Sequence, residues 1–165
     1  MKRVMNVILL FVLVLSLAAC GSNTASDSSG SKSSAVESPA PSPKVEGKGM
    51  VGDYEIEIKS AEKGKDYQKR DSIIVTYQFT NKSEKAQSFM IAISAKAFQD
   101  GIECTTAIDT GTDSSALMAE IKPGASIEVK EAYVLNNTTS PVEIEVKELI
   151  TFTDTGMVKK TFTLE

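Results

Sequence analysis

The sequence predicts an all-β fold, an immunoglobulin-like antiparallel β-sandwich of about seven strands in residues 49–165. Apolar residues there recur with a period of two, which is typical of strands rather than helices. Turn-forming pairs such as Asp100-Gly101 and Pro123-Gly124 separate the alternating segments. A segment of this length can enclose one hydrophobic core. The tryptophan of antibody domains is absent, because the chain has no Trp, and their internal disulfide is absent, because residues 49–165 contain a single Cys, Cys104.

The predicted strands follow one another closely along the chain. In the first, Tyr54, Ile56 and Ile58 alternate with charged residues, which predicts one solvated face. The second also carries Ile74 on its other face, which favours a more central position. The third is apolar on both faces, as a strand covered on both sides would be. The seven segments are 54–59, 73–80, 89–98, 102–108, 127–135, 142–152 and 158–164.

Three details of the domain are less regular. Residues 109–125 contain either a short helical turn or an edge strand. The alternation slips near Glu131-Ala132, which indicates a β-bulge. Cys104 lies in an alternating segment without nearby cations, so we interpret it as a small buried side chain rather than a reactive thiol.

The N-terminus has the pattern of an export signal. Lys2 and Arg3 form a short positive region, and the next 14 residues, up to Leu17, are almost wholly apolar. This apolar segment suits a signal peptide and is short for a stable membrane span. We therefore assign residues 1–19 to a signal peptide.

The signal ends in a tetrapeptide that resembles the bacterial lipobox, Leu17-Ala18-Ala19-Cys20. The resemblance implies cleavage between Ala19 and Cys20 and a diacylglyceryl group on the thiol of Cys20. Two acyl chains are sufficient for stable membrane anchoring. Since Cys20 is then used for lipidation, a disulfide with Cys104 is excluded.

Residues 20–48 are predicted to be the lipidated Cys20 followed by a disordered tether. Residues 21–48 contain nine Ser, three Pro, three Gly and no aromatic residue. Such a composition cannot bury enough surface to offset the entropy of ordering. As a flexible coil the tether would span roughly 30 Å. Its predicted function is to hold the domain away from the membrane.

Composition also excludes several classes of function. The chain has no His, which removes Ser-His-Asp and Cys-His catalytic systems and most catalytic zinc sites. Its net charge is −4, and without the signal peptide the remainder carries −6. An acidic domain without a basic stripe is a poor nucleic-acid ligand, so no nucleic-acid partner is expected. We expect no enzymatic activity and no cofactor.

One repeated triplet suggests chemistry. Asp109-Thr110-Gly111 and Asp154-Thr155-Gly156 both match the Asp-Thr-Gly of aspartic proteases, in which two carboxylates share a proton. The same triplet is good turn chemistry, which is the favoured interpretation. An aspartic-type hydrolase is therefore a much less favoured alternative.

Metal binding is also weakly indicated. Asp109 and Asp113, with Thr110 and Asp100 nearby in sequence, offer oxygen ligands of the kind that Ca²⁺ prefers. No complete calcium-loop motif is present, so we favour solvated loop acids and predict no metal site.

Two segments resemble a known family. These are Tyr77–Ser83, a strand followed by an Asn-x-Ser turn, and the Pro-Gly turn of 121–126 leading into Glu131–Leu135. With the lipobox and the Ser-rich tether, the chain resembles Firmicutes lipoproteins that carry domain of unknown function 5067, which is related to domain of unknown function 4352. The resemblance implies a lipid-anchored sandwich on the extracellular face of a Gram-positive cell membrane. It supplies no catalytic residues.

The sequence therefore predicts a cell-surface lipoprotein with a non-catalytic domain. It would be attached to the membrane through diacylglyceryl-Cys20 and bind a protein or a wall component through the loops 61–71, 109–120 and 136–141. A structural or accessory subunit of a membrane or wall complex is the alternative. Within these loops, the basic residues near Lys65 are interpreted as a solvated surface of mixed charge. Exposed Tyr54, Tyr67 or Tyr133 could serve as binding anchors, but each is interpreted as a core or rim residue of the sandwich.

Overall fold

The computed structural model describes residues 46–109 and 111–164 and confirms the predicted all-β sandwich. The described residues form nine strands and two short helices, where about seven strands were predicted. In chain order the elements are β1 Lys48–Val51, β2 Tyr54–Lys65, β3 Asp71–Asn81, α1 Phe89–Ala92, β4 Ile93–Gln99, β5 Ile102–Glu103, β6 Thr106–Ala107, α2 Ser114–Met118, β7 Ser126–Val134, β8 Val142–Glu148 and β9 Val158–Phe162.

The strands form two antiparallel sheets. The five-stranded sheet has the order β1-β2-β3-β7-β6, and the four-stranded sheet has the order β5-β4-β8-β9. β3 is hydrogen-bonded to β2 and β7 along its length, which confirms the central position that Ile74 predicted. On the outer face of this sheet, Ile74 packs with Ala107 and Ala132 in a small second cluster.

The main core lies between the inner faces of the two sheets. The alternation of β2 places Tyr54, Ile56 and Ile58 inside, as predicted. Three aromatic side chains form a row in this core. The distance between ring centroids is 5.5 Å from Tyr54 to Phe79 and 5.7 Å from Phe79 to Phe89. Full burial of such side chains supplies most of the free energy that holds the sheets together.

The segment 89–98 does not form the single doubly covered strand that was predicted. Its first four residues form α1, in which Phe89 and Ala92 face the core while Met90 and Ile91 are exposed. The spacing of the two buried residues is helical, and β4 begins only at Ile93. The apolar character on both faces therefore reflects a helical turn with an exposed apolar side.

Residues 102–108 also differ from the single predicted strand. The segment forms β5 in the four-stranded sheet and β6 in the five-stranded sheet, so the chain crosses between the sheets at residues 104–105. Cys104 is buried at this crossing, as predicted, and burial raises the pKa of its thiol. Ile102 and Ile108, in contrast, are exposed.

The bulge predicted near Glu131-Ala132 is absent, because β7 pairs with β3 in unbroken register from Ser126 to Val134. Glu131 instead occupies an inward position, where its carboxylate accepts a 2.7 Å hydrogen bond from the hydroxyl of Tyr133. Burial raises the pKa of Glu131. The irregularity of the five-stranded sheet lies in β2, between Ile58 and Ser60.

The inward, half-buried carboxyl of Glu131 predicts a pH-dependent stability of the fold. A raised pKa means that the protonated carboxyl favours folding, so this contribution is complete below about pH 4 and is lost as pH rises through the folded-state value. Glu131→Gln keeps an acceptor for Tyr133 and cannot ionise. We expect the variant and the parent to have the same melting temperature near pH 4. At pH 7 the variant should melt a few degrees higher, because its free energy of unfolding is larger by roughly 1 kcal/mol or less. Thermal unfolding at both pH values measures this.

Glu128→Gln is the matched control on the same strand. The carboxylate of Glu128 is exposed, and its hydrogen bond with Lys59 lowers the pKa of Glu128. We expect no stabilisation from this change. A Glu131→Gln variant that melts below the parent at pH 7 would contradict the prediction.

Other strand boundaries differ from the predictions at their ends. β8 ends at Glu148 rather than at Phe152, and β9 ends at Phe162 rather than at Leu164. β1 was not predicted, and it begins at Lys48, one residue inside the segment assigned to the tether.

The edges of the two sheets meet along a seam between β1 and β9. The amide of Gly47 donates to the carbonyl of Lys159 at 2.8 Å. The ammonium of Lys160 donates to the carbonyls of Ile58 and Lys59, at 2.9 and 2.8 Å, beside the bulge of β2. The two bonds from Lys160 give partners to β2 carbonyls that lie beyond the last residue paired with β1.

Candidate binding surface

Strand register shows which loops share an end of the sandwich. Val51, Tyr54 and Asn81 are register partners at one end, where the loops 52–53, 82–92 and 149–157 gather. We call this the Phe152 end. The opposite end holds the loops 66–70, 100–105 and 135–141, and we call it the Tyr67 end. β2 spans the distance between the two ends, roughly 35 Å over its 12 residues.

Asp66 organises the β2–β3 loop at the Tyr67 end. Its buried carboxylate accepts from the amides of Gln68 at 2.9 Å and Arg70 at 2.8 Å. The guanidinium of Arg70 completes the site with a 2.7 Å hydrogen bond from Nε and a 2.6 Å ion pair. Burial alone would raise the pKa of Asp66, but the bonds from Arg70 outweigh it and lower the pKa. The loop is therefore held in one conformation.

A second segment packs beside this loop. The amide of Tyr67 donates to the carbonyl of Ile108 at 3.0 Å, and residues 66 and 109 form an isolated β-bridge. Asp109 is buried, and its carboxylate accepts from the hydroxyl of Ser72 at 2.8 Å and from the amide of Gly111 at 2.9 Å. Tyr67 and Ile108 are thereby fixed side by side.

Gln99 fixes the β7–β8 loop of the same end. Its side chain is buried, and Oε1 accepts from the amides of Asn136 and Asn137 at 2.7 and 3.2 Å. Nε2 donates to the carbonyls of Asn137 and Ser140 at 3.0 and 2.9 Å. One side chain thus holds four backbone groups of residues 136–140.

The arrangement is suited to binding. Tyr67 is 64% exposed and Ile108 is 72% exposed, on backbone that hydrogen bonds already fix. Arg70 lies on the same loop and keeps part of its side chain in solvent. Tyr and Arg are enriched among residues that dominate interface energetics, and fixed loops lose little entropy on binding.

The two Asp-Thr-Gly triplets lie far apart. Asp109 is at the Tyr67 end beside Gly64, whereas Asp154 belongs to the exposed loop at the Phe152 end, next to Gly52. β2 separates these positions by roughly 35 Å, so the two carboxylates do not share a proton. Both carboxylates instead accept the amide of the Gly two residues later, which is the turn geometry favoured from the sequence.

The calcium candidates are used in local structure. Asp113 caps α2 by accepting from the amide and the hydroxyl of Ser115, and Asp109 binds Ser72 and Gly111. Asp100 accepts from Asn137 and Ser140 in the β7–β8 loop. Within residues 46–109 and 111–164, no group of three acidic or Cys side chains could hold a metal. α2 resolves the alternative left open for residues 109–125 in favour of a helical turn.

Two predicted groups remain, the basic residues of 59–70 and the residues of the N-terminal signal and tether. The basic residues of 59–70 are interleaved with acids, as in the 2.7 Å pair of Lys59 with Glu128 and the 2.6 Å pair of Lys65 with Asp71. The lipobox residues Leu17, Ala18, Ala19 and Cys20 lie outside the described residues, as do Thr110 and the predicted tether up to residue 45. Among the helices that the structure describes, none has the length and apolarity to span a bilayer.

Asp66 and Gln99 were not identified from the sequence. The spacing of Asp66 and Arg70 is a signal for a local ion pair, since the two are four residues apart. Gln99 carries no comparable signal, because its partners are backbone groups 37 to 41 residues away.

The chain matches one protein family and is similar in fold to several solved structures. A family model described as a domain of unknown function, DUF5067, matches residues 29–148. A crystal structure of a predicted lipoprotein from Bacillus subtilis is similar with a TM-score of 0.57 and 13% identity, covering 73% of this chain and 39% of that one. This chain thus spans well under half of the Bacillus protein. No curated protein matches the sequence at a significant level.

Two further solved structures are similar in size to this domain. A predicted lipoprotein from Staphylococcus aureus has a TM-score of 0.53 and 13% identity, covering 71% of this chain and 93% of that one. A protein from Enterococcus faecalis, solved by NMR, has a TM-score of 0.53 and 22% identity, covering 74% and 92%. At these identities the similarity establishes the fold.

Proposed function

The chain belongs to the DUF5067 family, and from this premise we propose that it is a lipid-anchored, non-catalytic domain that binds a protein or wall component at the extracellular face of the cell membrane. The Tyr67 end is the binding surface. The observation that carries the proposal is the exposed pair of Tyr67 and Ile108 on a hydrogen-bonded scaffold.

The anchor is supported by the sequence and by the neighbours. The lipobox-like residues 17–20 follow an apolar signal of suitable length. The similar structures from Bacillus subtilis and Staphylococcus aureus are themselves described as predicted lipoproteins. A diacylglyceryl group on Cys20 would then hold the domain at the membrane.

A non-catalytic function is supported by the chemistry of the buried groups. The buried carboxylates of Asp66 and Asp109 accept hydrogen bonds from loop backbone and side chains. Tyr77 and Tyr133 are enclosed in the core, and the half-buried carboxylate of Glu131 accepts from Tyr133. Burial raises the pKa of each of the three groups. These contacts hold loops and sheets, which is the chemistry of a scaffold.

Photo-crosslinking in living cells tests the binding surface. With benzoylphenylalanine in place of Tyr67, we expect one dominant crosslinked product at the cell surface. Ile108→Asp in the same labelled protein should reduce that product about tenfold, since central interface residues commonly contribute 1–3 kcal/mol or more. The measurement is the yield of crosslinked product relative to total protein.

The matched control carries the same label at Lys147, an exposed residue of β8 that lies in the other sheet and close to the Phe152 end. It should give little of that product. Equal yields from both positions, or a yield from Tyr67 that Ile108→Asp leaves unchanged, would contradict the proposal. A stoichiometric protein complex would favour an accessory subunit over a wall-binding module.

A further inference from the structure

The Phe152 end exposes large apolar side chains on three segments. Phe152 is 98% exposed, Ile150 70% and Ile91 61%, although side chains of this kind are usually buried. The amide of Leu149 donates to the carbonyl of Ala92 at 2.9 Å, which joins the β8–β9 loop to α1. We call the set the Phe152 surface: Met50, Met90, Ile91, Leu149, Ile150, Phe152 and Met157.

The third segment is the turn between β1 and β2. The amide of Gly52 donates to the carbonyl of Thr155 at 2.9 Å, so Met50 on β1 adjoins the β8–β9 loop. The carbonyl of Met50 also lies close to Gly156, since a Cβ added to that glycine would be 3.1 Å from it. The exposed side chains therefore belong to one end of the domain, and groupings of this kind mark an interaction surface.

The centre of this surface is free of charge. Residues 149–153 read Leu-Ile-Thr-Phe-Thr. The flanking acids are turned to other contacts, because the carboxylate of Glu148 lies against Gly52 and that of Asp154 accepts from the amide of Gly156 at 3.0 Å. Phe and Met also occur in protein interfaces, where the residues that dominate the binding energy are most often Trp, Tyr and Arg. An uncharged protrusion of Phe, Ile and Leu is better matched to lipid.

The proposed anchor at Cys20 keeps the domain within reach of a bilayer. Residues 21–45, which number 25, lie between Cys20 and Glu46. A chain of this length spans up to about 85 Å when extended. β1 then runs four residues from Lys48 towards the Phe152 end, a distance of roughly 13 Å. The tether is therefore long enough for the Phe152 surface to reach the membrane that holds Cys20.

We propose that the Phe152 surface docks into the interfacial region of the bilayer, with Phe152, Ile150 and Leu149 inserted among the lipid headgroups and upper acyl chains. This inference rests on the lipid anchor of the proposed function. Docking places the Tyr67 end at the far side of the domain, pointing away from the membrane. The two ends then have separate partners, the lipid surface and the extracellular ligand.

A single tryptophan tests the docking, because the chain has no native Trp. The lipidated full chain with Phe152→Trp is reconstituted into phosphatidylglycerol–phosphatidylethanolamine vesicles, and the vesicle-bound fraction is isolated by flotation. We expect the tryptophan fluorescence to shift to shorter wavelengths relative to the same protein in buffer without vesicles or detergent. We also expect lipids brominated on the acyl chains to reduce the intensity of this fluorescence at least twofold. Ile150→Asp in the same protein should abolish the quenching.

The control is Tyr67→Trp, which places the probe at the opposite end with similar chemistry. Its emission should stay that of an exposed indole, with no quenching. Flotation without quenching of the Phe152→Trp probe would overturn docking while leaving the anchor intact. Failure to float would contradict the anchor and docking together. A blue shift that depends on protein concentration and not on brominated lipid would assign the surface to a second copy of the chain.

Discussion

Cys20→Ala should release the protein from the membrane almost completely. The thiol of Cys20 is the group that the lipobox resemblance assigns to acylation, and no other Cys precedes the domain. A docked Phe152 surface alone gives weak, reversible attachment, since stable anchoring requires two acyl chains. Membrane fractionation should find the variant in the soluble fraction or as an unprocessed precursor, with a mass that lacks the diacylglyceryl group.

Ser22→Ala is the control for this change, because it alters a small residue two positions further along and leaves the thiol intact. It should fractionate with the membrane at the mass of the lipidated protein. Unchanged fractionation and unchanged mass of Cys20→Ala would refute the lipid anchor and, with it, the basis for docking of the Phe152 surface.

Gln99→Ala should give the largest loss of stability at the Tyr67 end. The change removes hydrogen bonds to four backbone groups of residues 136–140 and leaves these groups without their partner beside the buried position of Gln99. Each unsatisfied buried group costs about 1–3 kcal/mol, reduced where water enters. We expect a loss of about 3 kcal/mol and a melting temperature lower by roughly 10 °C.

Chemical denaturation of the parent and variant measures the loss. Gln78→Ala is the matched control, since Gln78 lies on β3 and is only half-buried. It should change the free energy of unfolding by less than about 1 kcal/mol. Equal losses from the two variants would show that Gln99 does not have a special structural function.

The sequence predicted the sandwich because its inner faces follow a strict alternation. Tyr54, Ile56 and Ile58 in β2, and Ile73, Val75 and Tyr77 in β3, are buried as that pattern requires. Asp100-Gly101 forms the predicted hairpin, with φ of 52° and 77°, as this tight turn demands. These elements were predictable because short-range features of the sequence, the apolar alternation and the Asp-Gly turn, specify them.

The errors occur where distant contacts decide the structure. Glu131 breaks the alternation, yet the strand stays regular because Tyr133 donates a hydrogen bond to an inward carboxylate. The segment 102–108 divides between two sheets, since β4 and β7 both offer an edge to it. α1 resembles a buried strand in composition because its exposed side is also apolar.

Contacts between residues distant in sequence also explain why only part of the candidate site was predicted. The loops 61–71, 109–120 and 136–141 were predicted to be binding elements, and the structure places residues 66–70 and 136–141 at one end. Residues 61–65 belong instead to β2, and the segment 109–120 leads away from the Tyr67 end to the bridge of Ile121 with Gln87. Tyr67, interpreted from the sequence as a core or rim residue, is 64% exposed. Ile108 lies in the same alternating segment as the buried Cys104, yet it is exposed, and the residue that follows it bridges to the β2–β3 loop. That bridge joins residues 43 positions apart and leaves no periodic trace in sequence.

The seam between β1 and β9 has a mechanical consequence for a domain attached to a surface. Any pull transmitted from Cys20 enters the fold at Glu46 and Gly47, just before a strand of four residues. A strand this short would peel easily if β2 were its single support. The bond from Gly47 to Lys159, and that from the amide of Thr161 to the carboxylate of Glu46 at 3.3 Å, divide the load between both sheets. With the proposed anchor at Cys20, tension on the chain would be shared by β9 of the other sheet instead of falling on β1 alone.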